Sequence, residues 1–209
     1  RLDSYMEARH FSVSHTLKDV DETSLLKDLK KYERVIISIH QMTNKVGSNF
    51  GLTTKELTLI QNINRQNEVI LVIFGSPYSL KYFENIDHIL MAYEDTPETE
   101  DITAQGLTGV FGFKGKLPVT ASNIFPVNHG FTTPSLKRMG YSVPERVGMC
   151  SDSLTYISTI ANYMIEIGAA PGCQVLIAKD GRIIYEQAFG SHTYKDNNPV
   201  YLTDLYDIA

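Results

Sequence analysis

Two short segments carry side chains whose types and spacing suit ligand binding. Gly75-Ser76-Pro77 follows the apolar run Val69 to Phe74, and Glu94-Asp95 follows a second strand-like run, His88 to Tyr93. If both runs are parallel strands of one sheet, their carboxyl ends meet at one edge, where open α/β sheets bind ligands. The candidate ligand-binding residues are therefore Gly75, Ser76, Pro77, Glu94 and Asp95. The alternative, that both segments are ordinary strand-to-helix turns, is the interpretation that the sequence favours.

The other residue types that carry chemistry form no catalytic or metal-binding motif. Gly47-x-x-x-Gly51 lacks the Gly-Lys-Ser/Thr of a phosphate-binding P-loop. Ser151 and Ser153 have no adjacent base, so they are interpreted as helix caps rather than nucleophiles. The six histidines show no i,i+4 pairing, so structural roles rather than metal binding are expected for them. They are His10, His15, His40, His88, His129 and His192. The sequence thus predicts no catalytic residue, no metal site and no cofactor.

Composition and charge exclude several classes of partner. The 209 residues include 19 basic and 24 acidic side chains, and the net charge is −5. A nucleic-acid interface needs a concentrated basic stripe, so nucleic acid is not an expected partner. The clearest apolar run, Val69 to Phe74, is far shorter than the ~20 residues of a membrane-spanning helix, so no membrane span is expected. Cys150 and Cys173 indicate neither a disulfide framework nor a zinc site, and whether they pair is left open.

Helix and strand patterns alternate through the first part of the chain. Strands are predicted from short apolar runs: His10 to Ser14, Arg34 to His40, Val69 to Phe74 and His88 to Tyr93. Helices are predicted from helical spacing and capping residues: Leu2 to Ala8, Thr23 to Tyr32, Thr53 to Asn64, and Pro97 to about Val110. This alternation predicts an α/β fold with a parallel sheet and helices on both faces, a flavodoxin-like α/β/α sandwich.

The pattern changes in the second part of the chain. Repeated glycines and prolines predict an extended connector with little regular structure over residues 112 to 150. A helix is expected from Leu154 to Gly168, where the glycine suits the helix stop. Asp180-Gly181, between Val175 to Ala178 and Ile183 to Tyr185, predicts a β-hairpin. The end of the chain is therefore expected to be an α+β fragment, a helix plus a hairpin.

Three segments, in this order, resemble the C-terminal α/β/α domain of glycoside hydrolase family 3. They are the strand and Gly-x-Pro segment Val69 to Leu80, the strand and Ala-Tyr-Glu turn Ile89 to Pro97, and Gly115-Lys116-Leu117-Pro118-Val119-Thr120. The resemblance implies a preceding TIM barrel that carries the nucleophilic aspartate. Some members supply an acid/base glutamate from the loop that corresponds to Gln41 to Gly51, which contains no carboxylate here. This departure fits the N-acetylglucosaminidase branch, in which a histidine of the barrel is the acid/base.

The last part of the chain resembles the start of the serine β-lactamase and penicillin-binding-protein family. The resemblance is carried by the helix from Leu154 and by the segments Pro171-Gly172, Asp180-Gly181, Gly190, Pro199-Val200 and Tyr206-Asp207-Ile208-Ala209. In that family the next element is Ser-x-x-Lys, whose serine is acylated. The resemblance implies that this nucleophile would directly follow Ala209.

Together the resemblances divide the chain into a family 3 C-terminal-type domain over residues 1–122, a linker over 123–150 and a truncated hydrolase domain over 151–209. The expected function is that of a non-catalytic region of a bacterial enzyme, a β-N-acetylhexosaminidase fused to a β-lactamase-like serine hydrolase. That parent is expected to be exported to the periplasm or the outer surface.

The expected partners are the barrel and the rest of the hydrolase domain in the same polypeptide, the parent's carbohydrate substrate, and a second copy that pairs through the open hairpin edge. The alternative is a stand-alone flavodoxin-like domain that binds a small molecule or a carbohydrate.

Overall fold

The structure, a computed structural model, describes residues 2–14, 21–195 and 198–206. The chain divides into two compact units, Arg1–Leu136 and Lys137–Ala209. The last three residues of the Tyr206-Asp207-Ile208-Ala209 segment lie outside the described residues, as does His15.

The first unit alternates helices and strands in the predicted order. Its elements are α1 (Glu22–Leu29), β1 (Arg34–Ile39), α2 (Thr54–Asn64), β2 (Glu68–Ile73), β3 (His88–Met91) and α3 (Pro97–Leu107), with 3-10 turns at Val46–Gly51 and Pro77–Tyr82. The predicted helix from Leu2 to Ala8 is only a short 3-10 turn, Leu2–Ser4. The predicted strand from His10 to Ser14 is wrong. Residues 10–14 are exposed and pair with no strand in the described part of the chain, so they join no sheet.

The strands of the first unit form a parallel sheet with the order β1-β2-β3. Leu71 in the central strand lies opposite Ile37 on one side and Ile89 on the other. Three consecutive side chains of β2, Leu71, Val72 and Ile73, are buried. Because neighbouring residues of a strand point to opposite faces, both faces of β2 are covered. The predicted α/β class, a parallel sheet accompanied by helices, is confirmed.

Local capping explains where the helices of this unit begin and end. Thr53 and Glu56 form the predicted capping box at the start of α2. The Thr96 hydroxyl caps α3, whose first residue is a proline. Helix α3 stops before the predicted Val110 because Gly109 adopts a left-handed φ of +86°. The N–H groups of Gly109 and Val110 then bond back to the carbonyls of the last helical turn.

The predicted connector is divided between the two units. Residues 112–136 have no helix or strand, as expected, but belong to the first unit. Leu117 is buried in its core, and its backbone bonds to His129 and Asn128 across the segment. From Lys137 onward the chain belongs to the second unit, where Gly140–Tyr141 forms strand β4. Residues 112–136 are therefore irregular without being a free linker, whereas the rest of the predicted connector contains a short strand and a 3-10 helix, Pro144–Val147.

The second unit contains β4, helix α4 (Ser151–Glu166), and strands β5 (Gly172–Lys179) and β6 (Arg182–Gly190). The sheet order is β4-β6-β5, with β4 parallel and β5 antiparallel to β6. The predicted hairpin is confirmed, with Ile177 opposite Tyr185. Asp180 and Gly181 have φ values of +52° and +71°, the positive pair that a two-residue type I′ turn requires.

Helix α4 begins three residues earlier than predicted, at Ser151. The Ser151 N–H donates to a carboxylate oxygen of Glu145 at 2.8 Å, so Glu145 caps the helix rather than a serine side chain. The predicted stop is confirmed, since Gly168 adopts a left-handed φ of +73° and closes the last turn. Leu154 packs with Ile184 and Val147 in a small core of this unit.

Two further findings concern the cysteines and the helices. Cys150 and Cys173 are both free thiols. None of the helices in the described ranges combines the length and the apolar character that crossing a membrane requires.

The hairpin turn yields a first prediction. Gly181→Ala should destabilise the second unit by about 1–2 kcal/mol, because a side chain with a β-carbon is strained at this left-handed φ. No neighbouring atom lies near the position of an added β-carbon, so the backbone alone sets the cost. Gly181→Asn should lose less, since asparagine tolerates this conformation. Urea unfolding followed by circular dichroism measures both variants, and equal losses would contradict the explanation.

Candidate functional site at the carboxyl edge of the parallel sheet

Gly75, Ser76 and Pro77 lie at the carboxyl end of β2 and turn the chain into the following 3-10 helix. A β-carbon on Gly75 would lie 2.7 Å from both Cβ and Sδ of Met42, so the close approach of this neighbour explains the glycine. The Ser76 carbonyl accepts a hydrogen bond from the Ser79 hydroxyl at 2.8 Å. These contacts are those of a strand-to-helix turn.

Asp95 joins the loops that follow the two outer strands of the sheet. Its Oδ1 accepts a hydrogen bond from Nδ1 of His40 at 2.8 Å, and its Oδ2 accepts one from the Gln41 N–H at 2.6 Å. His40 directly follows β1, whereas Asp95 lies in the loop after β3. The pair therefore spans the end of β2, where the His40 ring stacks on Phe74 with centroids 4.5 Å apart.

The turn before Asp95 contains a strained backbone conformation. Tyr93 has a φ of +67°, and the Glu94 N–H donates to the Ala92 carbonyl at 2.8 Å. A three-residue turn with a positive central φ is rare and costs conformational energy. The Glu94 side chain is exposed and does not belong to the cluster around Asp95. Of the two predicted acidic residues, the structure thus brings only Asp95 into contact with other polar side chains of this edge.

Glu100 supplies a second carboxylate from the first turn of α3. Its Oε1 lies 3.6 Å from Nδ1 of His40, and one ligand atom from each of His40, Asp95 and Glu100 lies within 4.8 Å of the others. The exposed fractions of the three side chains are 36%, 28% and 50%. We call these three residues the His40 cluster.

The electrostatic environment favours an ionised Asp95. Burial by itself would raise the pKa of the Asp95 carboxyl, but the hydrogen bonds from the Gln41 N–H and from His40 outweigh burial and lower that pKa. A general acid needs the opposite shift, towards the operating pH. The arrangement therefore suits the binding of a cation or the orientation of the imidazole, rather than proton donation by Asp95.

Sequence reasoning missed His40 and Glu100. The rule that identified Asp95 also applies to the end of the predicted strand Arg34 to His40, where His40 is the last residue. Glu100 carried no such signal, since it lies within a helix whose placement over the sheet edge the sequence does not specify.

Comparisons with known proteins add no assignment. No protein-family model, no curated protein and no solved structure matches the chain.

A second prediction concerns Gly75. Gly75→Ala should destabilise the first unit by roughly 1–3 kcal/mol, because the added methyl meets the β-carbon of Met42, which moves only with its backbone. Gly47→Ala is the matched control in the same unit, since no atom lies within 4 Å of its added methyl. Chemical denaturation of both variants tests this, and a Gly75→Ala protein as stable as Gly47→Ala would contradict the close packing.

A third prediction concerns Asp95 and pH. Asp95→Asn should lower the free energy of unfolding by about 1 kcal/mol or less at neutral pH. Hydrogen bonds to a charged carboxylate are strong, but solvent near these bonds reduces the cost of losing them. The folded-state pKa of Asp95 is lowered, so its contribution is present above the ordinary carboxyl pKa and is lost as pH falls through the lowered value.

The difference in unfolding free energy between wild type and Asp95→Asn should therefore narrow between neutral pH and about pH 3. Glu94→Gln, an exposed neighbour, is the control and should match wild type at both pH values. A gap for Asp95→Asn that stays constant with pH would show that the carboxylate charge is not responsible.

Proposed function

We propose that the chain is a non-catalytic region of a bacterial glycoside hydrolase of family 3. In this proposal the first unit is the enzyme's C-terminal α/β/α domain, a flavodoxin-like sandwich with helices on both faces of the sheet. The second unit is the N-terminal part of a fused β-lactamase-like serine hydrolase domain. The parent is then a β-N-acetylhexosaminidase that hydrolyses O-glycosyl bonds.

The observation that carries the proposal is that the three resembling segments all belong to one fold unit. Gly75 fits against Met42 at the end of β2. The Ala92-to-Asp95 turn follows β3, the strand that pairs with β2. Leu117, from the Gly-Lys-Leu-Pro-Val-Thr segment, is buried in the same core as Leu71. Each of the three segments thus packs within the first unit, as the proposal expects.

The carboxylates at the sheet edge support a non-catalytic role. Retaining glycosidases need one carboxylate nucleophile and one acid whose pKa is raised. The loop from Gln41 to Gly51 contains no carboxylate, and the pKa of the nearby Asp95 is lowered. In the proposed parent, both catalytic groups come from the barrel.

The second unit supports its half of the proposal through the packing of its glycines. Gly172 lies opposite Gly190 in the hairpin, and a β-carbon on Gly172 would lie 2.6 Å from the carbonyl oxygens of Phe189 and Ser191. The Val200 N–H donates to the Gly190 carbonyl at 3.1 Å, and Val200 is buried. The segments Pro171-Gly172, Gly190 and Pro199-Val200 therefore meet at one place.

A second candidate function is a stand-alone domain that binds a small molecule or a carbohydrate. The His40 cluster favours it, because it lies at the carboxyl edge of a parallel sheet, where ligands of such folds bind. The two candidates differ in what surrounds the chain in its polypeptide.

The coding sequence on either side of the chain distinguishes them. The proposal expects a TIM barrel upstream and Ser-x-x-Lys immediately after Ala209, followed by the remaining hydrolase motifs. An unrelated continuation, or a coding region that encodes this chain alone, would contradict the fusion and favour the binding domain.

A fourth prediction concerns activity. The purified chain should hydrolyse neither aryl N-acetylglucosaminides nor β-lactam and ester reporters, because the proposed catalytic groups belong to other domains. Asp95→Asn and Glu100→Gln are the informative variants, since they remove the carboxylates of the His40 cluster. If the wild-type chain turns over one of these substrates and either substitution abolishes that activity, the chain has its own catalytic centre and the prediction is wrong.

A further inference from the structure

We propose that His40, Asp95 and Glu100 bind a divalent first-row transition-metal ion, such as Mn²⁺ or Zn²⁺. This site is independent of the proposed function. The cluster offers one imidazole nitrogen and two carboxylate oxygens, a mixed donor set that these ions accept. Within the ranges that the structure describes, no other three histidine, cysteine or acidic side chains converge in this way.

The distances between the donor atoms suit a single ion. Metal–ligand bonds of about 2.0–2.2 Å place neighbouring ligand atoms roughly 3–3.5 Å apart. Nδ1 of His40 lies 3.6 Å from Oε1 of Glu100 and 2.8 Å from Oδ1 of Asp95, and the ligand atoms of Asp95 and Glu100 lie within 4.8 Å of each other. If the imidazole and the Asp95 carboxylate moved a few tenths of an ångström further apart, the ion could bind between them. It would replace the proton on Nδ1.

Contacts outside the cluster hold two of the donors in position. The His40 ring stacks on Phe74 with an interplanar angle of 17°. The Gln41 N–H binds Oδ2 of Asp95 and leaves Oδ1 directed at the imidazole. Such outer contacts fix the orientation of metal ligands and strengthen binding. Glu100 is half exposed, so the ion's remaining coordination positions are accessible to water.

The local charge also favours a divalent cation. Two carboxylates lie beside one imidazole, and the ion pairs within the described residues give neither Asp95 nor Glu100 a lysine or arginine partner. The charge of a divalent ion can offset two carboxylates at once.

Other histidine–carboxylate pairs provide the contrast. Among the described residues, His192 has one carboxylate partner, Asp204, at 2.8 Å. His88 lies 3.5 Å from Glu68, whose carboxylate also pairs with Arg34. Within the described part of the chain, neither histidine contacts two carboxylates that lack a lysine or arginine partner, as His40 does.

Mn²⁺ binding to the full chain tests the site. Free Mn²⁺ is measured by its electron paramagnetic resonance signal, and this ion avoids interference from the free thiols because it prefers oxygen and nitrogen ligands. The wild type should bind a single equivalent. Glu100→Gln and His40→Phe should each weaken binding by at least about 10-fold, the latter retaining an aromatic ring to stack on Phe74.

Two matched variants serve as controls. Glu98→Gln removes a negative charge from the same first turn of α3, and His192→Asn removes the imidazole of a pair with one carboxylate. Both should bind Mn²⁺ like the wild type, and circular dichroism should show that all four variants are folded. The proposal is overturned if the wild type binds neither Mn²⁺ saturably at millimolar concentration nor Zn²⁺ in a way that His40→Phe weakens. It is also overturned if Glu98→Gln and Glu100→Gln weaken Mn²⁺ binding equally.

Discussion

The first unit depends on the burial of strand β2 on both of its faces. Leu71, Val72 and Ile73 are removed from water in succession, and each buried apolar side chain of this size contributes about 1.5–3 kcal/mol relative to exposure. With strands on both sides and its faces covered from Leu71 to Ile73, β2 offers no place for a polar side chain along this stretch. Polar side chains of the unit can therefore gather at the sheet edge without breaking the core.

That constraint explains the position and the character of the His40 cluster. The loops after β1 and β3 meet over the end of β2, and the buried Phe74 there provides the surface on which His40 stacks. Asp95 is held by both of its oxygens, while Glu100 remains half exposed. His40 and Asp95 are held in place, and the Glu100 carboxylate beside them is more accessible. Because the lowered pKa of Asp95 favours its ionised form, the arrangement suits metal coordination better than proton transfer.

The second unit depends on a different constraint, the close approach of backbone segments. Gly172 and Gly190 face each other across the hairpin, and the chain after β6 returns to the Gly190 carbonyl through Val200. Side chains larger than hydrogen would separate these segments. Strand β5 lies at one edge of this sheet, and the pairing of a second copy through that edge stays a prediction.

The sequence by itself determined the features that depend on residues close together in the chain. The Thr53–Glu56 capping box, the stop of α4 at Gly168 and the Asp180-Gly181 turn follow from local dihedral preferences and hydrogen bonds. The strands of the parallel sheet were likewise recognisable, because their apolar runs are continuous.

Only the tertiary structure decided the features that join distant parts of the chain. Strand β4 exists because two residues pair with β6, and Glu145 caps α4 from outside the helix. Leu117 entered the core from a segment whose glycines and prolines indicated only irregular structure. Asp95 was recognisable as a residue after a strand, but its contacts with His40 and Glu100 were not. Those contacts require three separate segments to converge, and packing of the sheet, rather than any local pattern, brings them together.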